Sequence, residues 1–465
     1  MNAPTQSGND HFRILLYRND VKEILLVTTW EGFSLPVMPI PPHRRVAEEL
    51  TAAIRSAWNL ETYCLFPLPN GVPPHALVHD QVMEIGHPEA DTPARMQWFT
   101  VDLLSAGSFQ SPSDFAAIQD SRTILDRYGR NELPGAFAKP GWLRTVTEWV
   151  EGQASCVGLR ATGKFRQLNA SPSFSLIRFE TDGPALWFKA VGEPNVREFS
   201  ITRTLANLLP VYLPEIRATR AEWNAWLMTE FAGTHPHANS GIDTWIAVAE
   251  TLAEMQIASS GKTIHLLGAG CHDTRVCCLA EKIDPFLEAM TGLMVQQTKA
   301  SPSPMSAAEL SALGVQLHII CSNLAQSGIP NALSHLDLNP GNILVSDSQC
   351  VFLDWAEACV GHPFVAFEYL LEHLRKLLPK DDALEAELSS VYTAPWRRLA
   401  DRQAIAEAIA AAPLLAVFTC AVAAETWRDE SRRSQPNIAA LLRSLTRRMK
   451  READSFEKRR VTCMP

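Results

Sequence analysis

The sequence contains no Cys-x-x-Cys pair, and its ten cysteines are scattered, Cys277 and Cys278 being the only two close together. This spacing argues against a zinc site and a disulfide framework, and it predicts reduced thiols in a cytoplasmic protein. Positive charge is also scarce, because 42 Lys and Arg stand against 51 Asp and Glu, a net charge of −9. We therefore expect no general affinity for nucleic acid. Residues Met1–His11 are polar and lack the apolar core of a signal peptide.

Long apolar runs are rare, and only Ala408–Ala424 approaches the roughly 20 residues that a membrane-spanning helix requires. This run is rich in alanine and contains Pro413, so we predict a buried helix and no membrane partner. The C-terminal stretch, residues 428–465, is different, because it carries 11 Lys and Arg against 5 Asp and Glu. Its apolar residues recur at helical spacing: Ile438, Leu441, Leu442, Leu445 and Met449. We predict a docked amphipathic helix, and a surface for an acidic partner or membrane is the alternative.

The remaining sequence divides into three regions by its hydrophobic pattern. Residues 12–105 alternate short apolar runs, such as Ile14–Tyr17 and Ile24–Thr28, with Pro-rich loops and one helical stretch, Val46–Trp58. Residues 165–232 predict strands around one helix. From Asp243 onward the pattern is helical, apart from two short strands. The chain is thus predicted to be an α+β protein with domains at 1–150, 151–232 and 233–465. The predicted elements after the first region are strands Phe174–Glu180, Ala185–Val191, Trp223–Glu230, Asn342–Val345 and Cys350–Leu353 and helices Val196–Leu209, Asp243–Ser259 and Ala307–Gln326.

The segment Ser334–Trp355 carries the most chemical information. It contains His-x-Asp-x4-Asn as His335, Asp337 and Asn342, and then Asp354 at the end of an apolar strand. Transfer of a phosphoryl group needs a carboxylate that orients the acceptor hydroxyl, together with oxygen ligands for Mg²⁺. A tight loop after Asp337 places Asn342 on the same side, and a hairpin turn at 346–349 returns the chain to Asp354. The spacing therefore predicts a phosphoryl-transfer site.

The run HLDLNPGNIL followed by FLDW resembles the catalytic and metal-binding motifs of the aminoglycoside phosphotransferase and choline kinase-like family. Tryptophan directly after the metal-binding aspartate is typical of that family. The resemblance extends over about residues 150–430 and implies a two-lobed, protein-kinase-like fold. It also implies that Asp337 is the catalytic base, that Asn342 and Asp354 bind Mg²⁺, and that His335 supports the loop. A departure is Ala366, which stands where the family often has an aspartate that supports the fold.

The small lobe of such a fold should supply a cation for the nucleotide phosphates. Lys189 lies among apolar neighbours in a predicted strand, where a lysine is unfavourable unless it is paired. Glu198 begins the next helix and is the predicted partner. The nucleotide base is expected near Met228–Phe231, where backbone groups, including those of Met228 and Glu230, could contact the edge of the base. The phosphate-covering loop, Ala170-Ser171-Pro172-Ser173, contains no glycine, so Ser171 and Ser173 are the predicted phosphate contacts.

The N-terminal region resembles a Nudix hydrolase domain whose active site has been lost. Phe33-Ser34-Leu35-Pro36 and the helix Val46–Trp58 are similar to the Nudix segment. When the end of the motif is aligned on Asn59-Leu60, the positions of its glutamates are occupied by Arg44, Ala53, Ser56 and Ala57. We therefore expect no metal site there, and an unrelated α+β domain is the alternative. Substrate gating, dimerisation and regulation are open roles for this domain.

These patterns together predict an ATP- and Mg²⁺-dependent phosphotransferase that acts on a hydroxyl of a small molecule. A nucleotide-binding regulatory pseudokinase is the first alternative, and the glycine-free loop favours it. A protein kinase is disfavoured because the interval from Asp354 to Pro363 is too short for a long activation segment. A Nudix-type hydrolase is disfavoured by the missing glutamates. The sequence does not identify the acceptor. An acidic pocket would favour a polycationic acceptor, and the stretch where such a pocket is expected contains Glu357, Glu368 and Glu372.

Overall fold

The computed structural model describes residues 9–42, 44–69, 78–87, 89–347, 349–379 and 381–463, with side chains as far as residue 456. The chain forms two units, one of residues 1–199 with 216–230 and the other of residues 200–215 with 231–465. The turn predicted at 346–349 and the C-terminal basic stretch therefore lie partly outside the described residues.

The first unit begins with a mixed sheet of seven strands. The elements of this region are β1 (Asp10–Arg18), β2 (Glu23–Thr29), β3 (Gly32–Ser34), β4 (Val37–Ile40), α1 (Val46–Trp58), β5 (Thr62–Pro67), β6 (Val78–Ile85), β7 (Met96–Thr100), α2 (Pro112–Gly129) and α3 (Trp142–Cys156). The path of the sheet is β3-β2-β1-β6-β5, with β4 paired to β1 and β7 paired to β2. Strands β1 and β6 pair in parallel, and the other described pairs are antiparallel.

Strand β1 explains how this sheet is covered on both faces. Ile14 and Leu16 pack in a cluster with Leu50 and Ile54 of α1. Leu15, which points to the opposite face, belongs to a second cluster that includes residues of α2 and α3. Because successive side chains of a strand alternate between faces, a strand buried on both faces reads as an unbroken apolar run. The predicted helix Val46–Trp58 is confirmed.

A second, antiparallel sheet of the first unit consists of β8 (Ala161–Ala170), β9 (Ser175–Thr181), β10 (Leu186–Ala190), β11 (Ile216–Arg220) and β12 (Ala225–Thr229). The order of its strands is β11-β12-β10-β9-β8. Its core residues Phe188 and Leu227 share one hydrophobic cluster with Leu15 and Trp142 of the preceding region. The two sheets are therefore packed into one unit, and residue 150, the predicted boundary, lies within α3. Helix α4 (Arg197–Leu208) follows β10, and its residues from 200 onward belong to the second unit.

The second unit is predominantly helical, so the predicted change from a sheet-rich to a helical region is confirmed. Its elements are α5 (Ile242–Ser259), α6 (Thr263–Gly268), β13 (His272–Thr274), α7 (Val276–Val295), α8 (Ala307–Gln326), β14 (Ala332–His335), β15 (Ile343–Val345), β16 (Cys350–Phe352), β17 (Ala358–Gly361), α9 (Phe364–Leu377), α10 (Asp382–Thr393), α11 (Arg402–Ala423), α12 (Glu430–Arg433) and α13 (Pro436–Cys463). The strands form a three-stranded sheet in the order β13-β17-β14 and the hairpin β15-β16.

Two helices of this unit differ from the others in composition. Helix α11 is the one helix in the described part of the chain that is long and apolar enough to cross a membrane. It is the predicted buried helix, since 78% of its apolar window is covered by the protein itself. Helix α13 is docked, as predicted, because Leu442 and Met449 are buried in the core of the unit. Arg443 donates to the Leu293 carbonyl at 3.4 Å, so part of the basic face contacts the protein.

Candidate active site

Strand β14 ends at His335, whose side chain is fully buried. Its Nδ1 atom accepts the backbone N–H of Asp337 at 3.1 Å, and its Nε2 atom lies 3.0 Å from the carbonyl oxygen of Leu353. A neutral ring that accepts at Nδ1 carries its proton on Nε2, which then donates to Leu353. Burial lowers the pKa of His335, which favours this neutral form. His335 therefore joins the segment that carries Asp337 to the segment that carries Asp354.

The carboxylate of Asp337 is exposed, and amide groups hold both of its oxygens. Asn339 Nδ2 donates to Oδ1 at 3.0 Å, and Asn342 Nδ2 donates to Oδ2 at 3.2 Å and to the Asp337 carbonyl at 2.9 Å. Asn339 Oδ1 in turn accepts the N–H of Gly341 at 2.8 Å. The sequence reasoning missed Asn339, although Asn before Pro-Gly is a known signal of a side-chain-closed turn. Two asparagines thus orient the predicted base.

The hairpin brings Asp354 back to Asn342. Strands β15 and β16 pair Ile343 with Phe352, and the N–H of Leu353 donates to the Asn342 carbonyl at 2.8 Å. Asp354 then adopts a left-handed conformation, with φ 61° and ψ 66°, which is uncommon for a residue other than glycine. Such strained backbone often occurs at functional sites. The structure therefore brings the segments of both predicted metal ligands together.

These side chains fit a magnesium ion by their chemistry. The exposed Asp354 offers carboxylate oxygens, and Asn342 retains its Oδ1 because its hydrogen bonds to Asp337 use Nδ2. No group of three or more His, Cys, Asp or Glu that could hold a metal occurs among the described residues. Mg²⁺ commonly takes only one or two protein ligands and fills its shell with phosphate oxygens and water. The donor set is therefore appropriate for Mg²⁺ and too small for a metal that needs a complete protein cage.

The first unit contains Lys189, the side chain predicted to supply a positive charge. Lys189 lies in β10 and its Nζ atom is 2.6 Å from Oε1 of Glu198, at the start of α4. Their side chains are 10% and 2% exposed, so the ion pair is formed largely away from water. The Lys189 ammonium also lies 5.5 Å from the centre of the Trp226 ring. The structure thus brings together the two residues that the sequence paired.

The predicted base-binding residues are engaged within the sheet. The Glu230 carboxylate accepts from Arg178 at 2.6 and 2.8 Å and from Trp187 Nε1 at 3.0 Å, and the contacts with Arg178 lower the pKa of Glu230. Its backbone N–H donates to Ala185 at 2.8 Å. Met228 is half-buried and pairs with Trp187 across the sheet. Neither the carboxylate nor the N–H of Glu230 is therefore directed at a ligand, a restriction that the sequence did not reveal.

The predicted phosphate-covering residues lie in the turn between β8 and β9. Ser171 and Ser173 are both half-buried. The backbone N–H of Phe174 donates to Ser171 Oγ at 3.0 Å. This bond uses a lone pair of the oxygen and leaves the hydroxyl proton available for another acceptor.

Residues 193–401 match the model described as phosphotransferase enzyme family. The matched segment includes Glu198, His335, Asp337, Asn342 and Asp354, and it begins after Lys189. The predicted resemblance to phosphotransferases is therefore confirmed for this part of the chain. Among curated proteins, none matches the sequence.

Several solved structures are similar in fold. A macrolide 2'-phosphotransferase from Brachybacterium faecium is 19% identical, with a TM-score of 0.42, covering 63% of this chain and 97% of that one. A choline/ethanolamine kinase family protein from Mesorhizobium loti is 15% identical, with a TM-score of 0.44 and coverages of 68% and 98%. An ethanolamine kinase from Plasmodium vivax is 12% identical, with a TM-score of 0.46 and coverages of 73% and 95%.

Proposed function

We propose that this protein is an ATP- and Mg²⁺-dependent phosphotransferase whose acceptor is a hydroxyl group of a small molecule. The observation that carries the proposal is the bonded arrangement around Asp337: two asparagines hold its carboxylate, and one of them, Asn342, is tied through Leu353 to the segment of Asp354. The proposed base and the two proposed oxygen ligands for a cation thus lie on two segments that are joined by a backbone hydrogen bond. Phosphoryl transfer depends mainly on such positioning and on neutralisation of charge. A kinase-like fold is part of the proposal.

In this proposal Asp337 accepts a hydrogen bond from the acceptor hydroxyl and takes up its proton as transfer proceeds. Asn339 and Asn342 keep the carboxylate in one orientation, so no reorganisation is needed at that moment. Asn342 and Asp354 would hold Mg²⁺, which supplies positive charge to the phosphate oxygens. His335 stays neutral and supports the loop.

The other proposed contacts of the nucleotide are the predicted cation, the two serines and the residues predicted to contact the base. Lys189, held by Glu198, would neutralise phosphate charge, and the hydroxyls of Ser171 and Ser173 would donate to phosphate oxygens. Met228 would offer an apolar contact to the base. Because the Glu230 carboxylate and N–H bond within the sheet, only its carbonyl oxygen remains as a contact for the base. The proposed acceptor is a small molecule, and we propose no nucleic-acid or membrane partner.

The test is a screen of the purified protein for transfer from γ-labelled ATP to a library of hydroxyl-bearing metabolites, including sugars and amino alcohols. We expect at least one labelled phosphate ester that forms only in the presence of Mg²⁺. Transfer by the wild type and its loss in the Asp337→Asn variant would establish the activity. A library without any labelled product, measured on protein that binds ATP and Mg²⁺, would instead favour the second candidate.

That second candidate is a nucleotide-binding regulatory protein without turnover. The specific observation in its favour is the loop of residues 170–173, which lacks the glycines that usually cover nucleotide phosphates in kinases. Retention of Asp337, Asn342, Asp354, Lys189 and Glu198 speaks against it, because a protein that only binds nucleotide has no need of an oriented base. We therefore rank it second.

Asn339 offers a sharp prediction, because it makes two separable hydrogen bonds. Asn339→Asp retains an oxygen that can accept the Gly341 N–H but replaces the donor to Asp337 with a like charge. Asn339→Ser also places an accepting oxygen at this turn, and it replaces the Nδ2 donor with a shorter hydroxyl without adding charge. We expect kcat to fall about 10- to 100-fold for Asn339→Asp and less for Asn339→Ser, since mispositioning of a reacting group by 1 Å can have an effect of about 100-fold.

Steady-state kinetics with ATP and the acceptor from the screen, together with melting curves, check this prediction. KM for ATP should stay within about threefold and the melting temperature should be unchanged, because the turn itself is retained. Equal kcat for wild type and Asn339→Asp would show that the bond to Asp337 does not matter. A kcat that falls only together with the melting temperature would show a merely structural role.

We further propose that the N-terminal mixed sheet and α1 form a Nudix-like domain without metal-dependent hydrolase activity. Arg44, Ala53, Ser56 and Ala57 occupy the positions where carboxylates would hold the metal. Glu48 is an acidic residue of α1 that lies outside the register of the motif. Its Oε1 atom is 3.4 Å from Nε of Arg166.

The full-length protein should release no phosphate or monophosphate from nucleoside diphosphate derivatives in Mg²⁺ or Mn²⁺. Product chromatography measures this, and the Asp337→Asn variant serves as the control for hydrolysis at the other site. Robust hydrolysis that persists in Asp337→Asn would overturn the lost-site interpretation.

A further inference from the structure

The turn between β8 and β9, residues 171–174, has a shape that is set partly by its own bonds. The backbone N–H of Ser171 donates to the Phe174 carbonyl at 2.9 Å, and the Phe174 N–H donates to Ser171 Oγ at 3.0 Å. Pro172 restricts the backbone further, since its φ is fixed near −65°. A turn closed in this way needs no glycine and has little freedom to rearrange.

A segment that precedes the second sheet holds this turn from outside. The backbone N–H of Phe137 donates to the carbonyl oxygen of Pro172 at 3.0 Å. Phe137 itself is buried, and its ring lies 5.1 Å from that of Trp142 and 6.0 Å from that of Phe188. The tip of the turn is therefore tied to a residue anchored in the core of the first unit.

Two glycines outside the turn allow the neighbouring segments to approach it closely. A Cβ atom on Gly135, whose φ is +147°, would lie 2.8 Å from both the Cβ and the carbonyl oxygen of Pro172. A Cβ atom on Gly192 would lie 2.4 Å from the Cβ of Ser173. Contacts this short are not tolerated, so any larger residue would force the turn or its neighbours to move. The glycines are thus found on the segments that face the turn.

From these contacts we propose that Gly135, Phe137 and Gly192 are positioning residues that hold the phosphate-covering turn in a fixed, binding-ready conformation. The segment 135–137 then belongs functionally to the nucleotide site, although it precedes the family match that begins at residue 193. The benefit is preorganisation: Ser171 and Ser173 hydroxyls held in place lose little conformational entropy when phosphate binds. The identity of the ligand as a nucleotide rests on the proposed function.

The experiment compares Gly135→Ala with Gly158→Ala. Gly158 also has a positive φ, of +75°, but a Cβ atom there meets nothing within 4 Å. Amide hydrogen exchange of residues 170–175 and of Phe137 is measured on the full-length protein without nucleotide, and the affinity for ATP with Mg²⁺ is measured by calorimetry. Melting curves accompany each variant.

For Gly135→Ala we expect exchange in residues 170–175 and at Phe137 to accelerate about 3- to 10-fold, which corresponds to the loss of one hydrogen bond. The affinity for ATP with Mg²⁺ should fall by a similar factor, and Gly158→Ala should match the wild type in both measurements. Gly192→Ala should behave like Gly135→Ala. If Gly135→Ala does not fold, Pro172→Gly, which loosens the turn without adding an atom, should show the same two effects.

Two outcomes would overturn the proposal. One is exchange in residues 170–175 that is equal in folded Gly135→Ala, Pro172→Gly and Gly158→Ala. The other is accelerated exchange with undiminished ATP affinity, which would show that the held turn does not serve the nucleotide. If the wild type binds no ATP at all, the proposed function fails, and the exchange data still decide whether the turn is held by these residues.

Discussion

Asp337→Asn is expected to lower the rate of phosphoryl transfer by about 10²- to 10⁴-fold, which is the usual effect of removing an acid–base group. The amide cannot take the proton of the acceptor hydroxyl. It would also place an NH₂ group against the donor of Asn339 or Asn342, which now donate to the two carboxylate oxygens. The oriented base would therefore be lost in both charge and position.

Rates are measured with labelled ATP and the acceptor from the screen, and nucleotide affinity is measured separately by calorimetry. Affinity for ATP should change by less than about threefold, because the proposed role of Asp337 concerns the acceptor. Asp347→Asn is the matched control, since Asp347 is an exposed aspartate in the turn after β15. Full turnover by Asp337→Asn would remove Asp337 from the mechanism.

Removal of the proposed metal ligand should have an effect that depends on the metal. Asp354→Ala is expected to weaken ATP binding on the order of 10- to 100-fold in Mg²⁺, a range typical of disturbed metal sites. In EDTA the variant should bind ATP as well as the wild type does, because no cation is then present to be held. Titration of ATP in both conditions measures this, with Asp347→Ala as the control. Equal affinity for Asp354→Ala and wild type in Mg²⁺ would contradict the assignment of Asp354.

The same titrations distinguish the role of Lys189 from that of Asp354. The charge of Lys189 should contribute to ATP affinity with or without Mg²⁺. Lys189→Ala alone would remove the cation paired with the buried Glu198 carboxylate, and loss of one member of a buried ion pair destabilises a fold by about 3–5 kcal/mol. The double variant Lys189→Met/Glu198→Gln removes both charges, so a loss of ATP affinity is not confused with a loss of stability. It should weaken ATP binding in Mg²⁺ and in EDTA alike, whereas Glu198→Gln alone should have the milder effect. A double variant that loses affinity only in Mg²⁺ would contradict the proposed role of Lys189.

The sequence alone determined the features that depend on local spacing. The helix Ala307–Gln326 begins and ends as predicted, because Ser306 and Glu309 form a capping box that marks its first turn. The interval from His335 to Asn342 specified a loop, and the short strands around residue 347 specified a hairpin that returns to Asp354. Local hydrogen bonds and side-chain periodicity decide such elements, so a single sequence is enough to predict them.

Tertiary structure alone decided the contacts between residues far apart in the chain. The sequence predicts that backbone groups of Met228–Phe231 contact the nucleotide base, but it does not reveal that Arg178 and Trp187 bind the Glu230 carboxylate from neighbouring strands. Phe137 holds the carbonyl of Pro172, and the two are separated by a helix and a strand. These contacts depend on which strands become neighbours and on how the core of the first unit packs. Many sequences can satisfy the same packing. No local sequence pattern therefore predicts which residues come into contact through it.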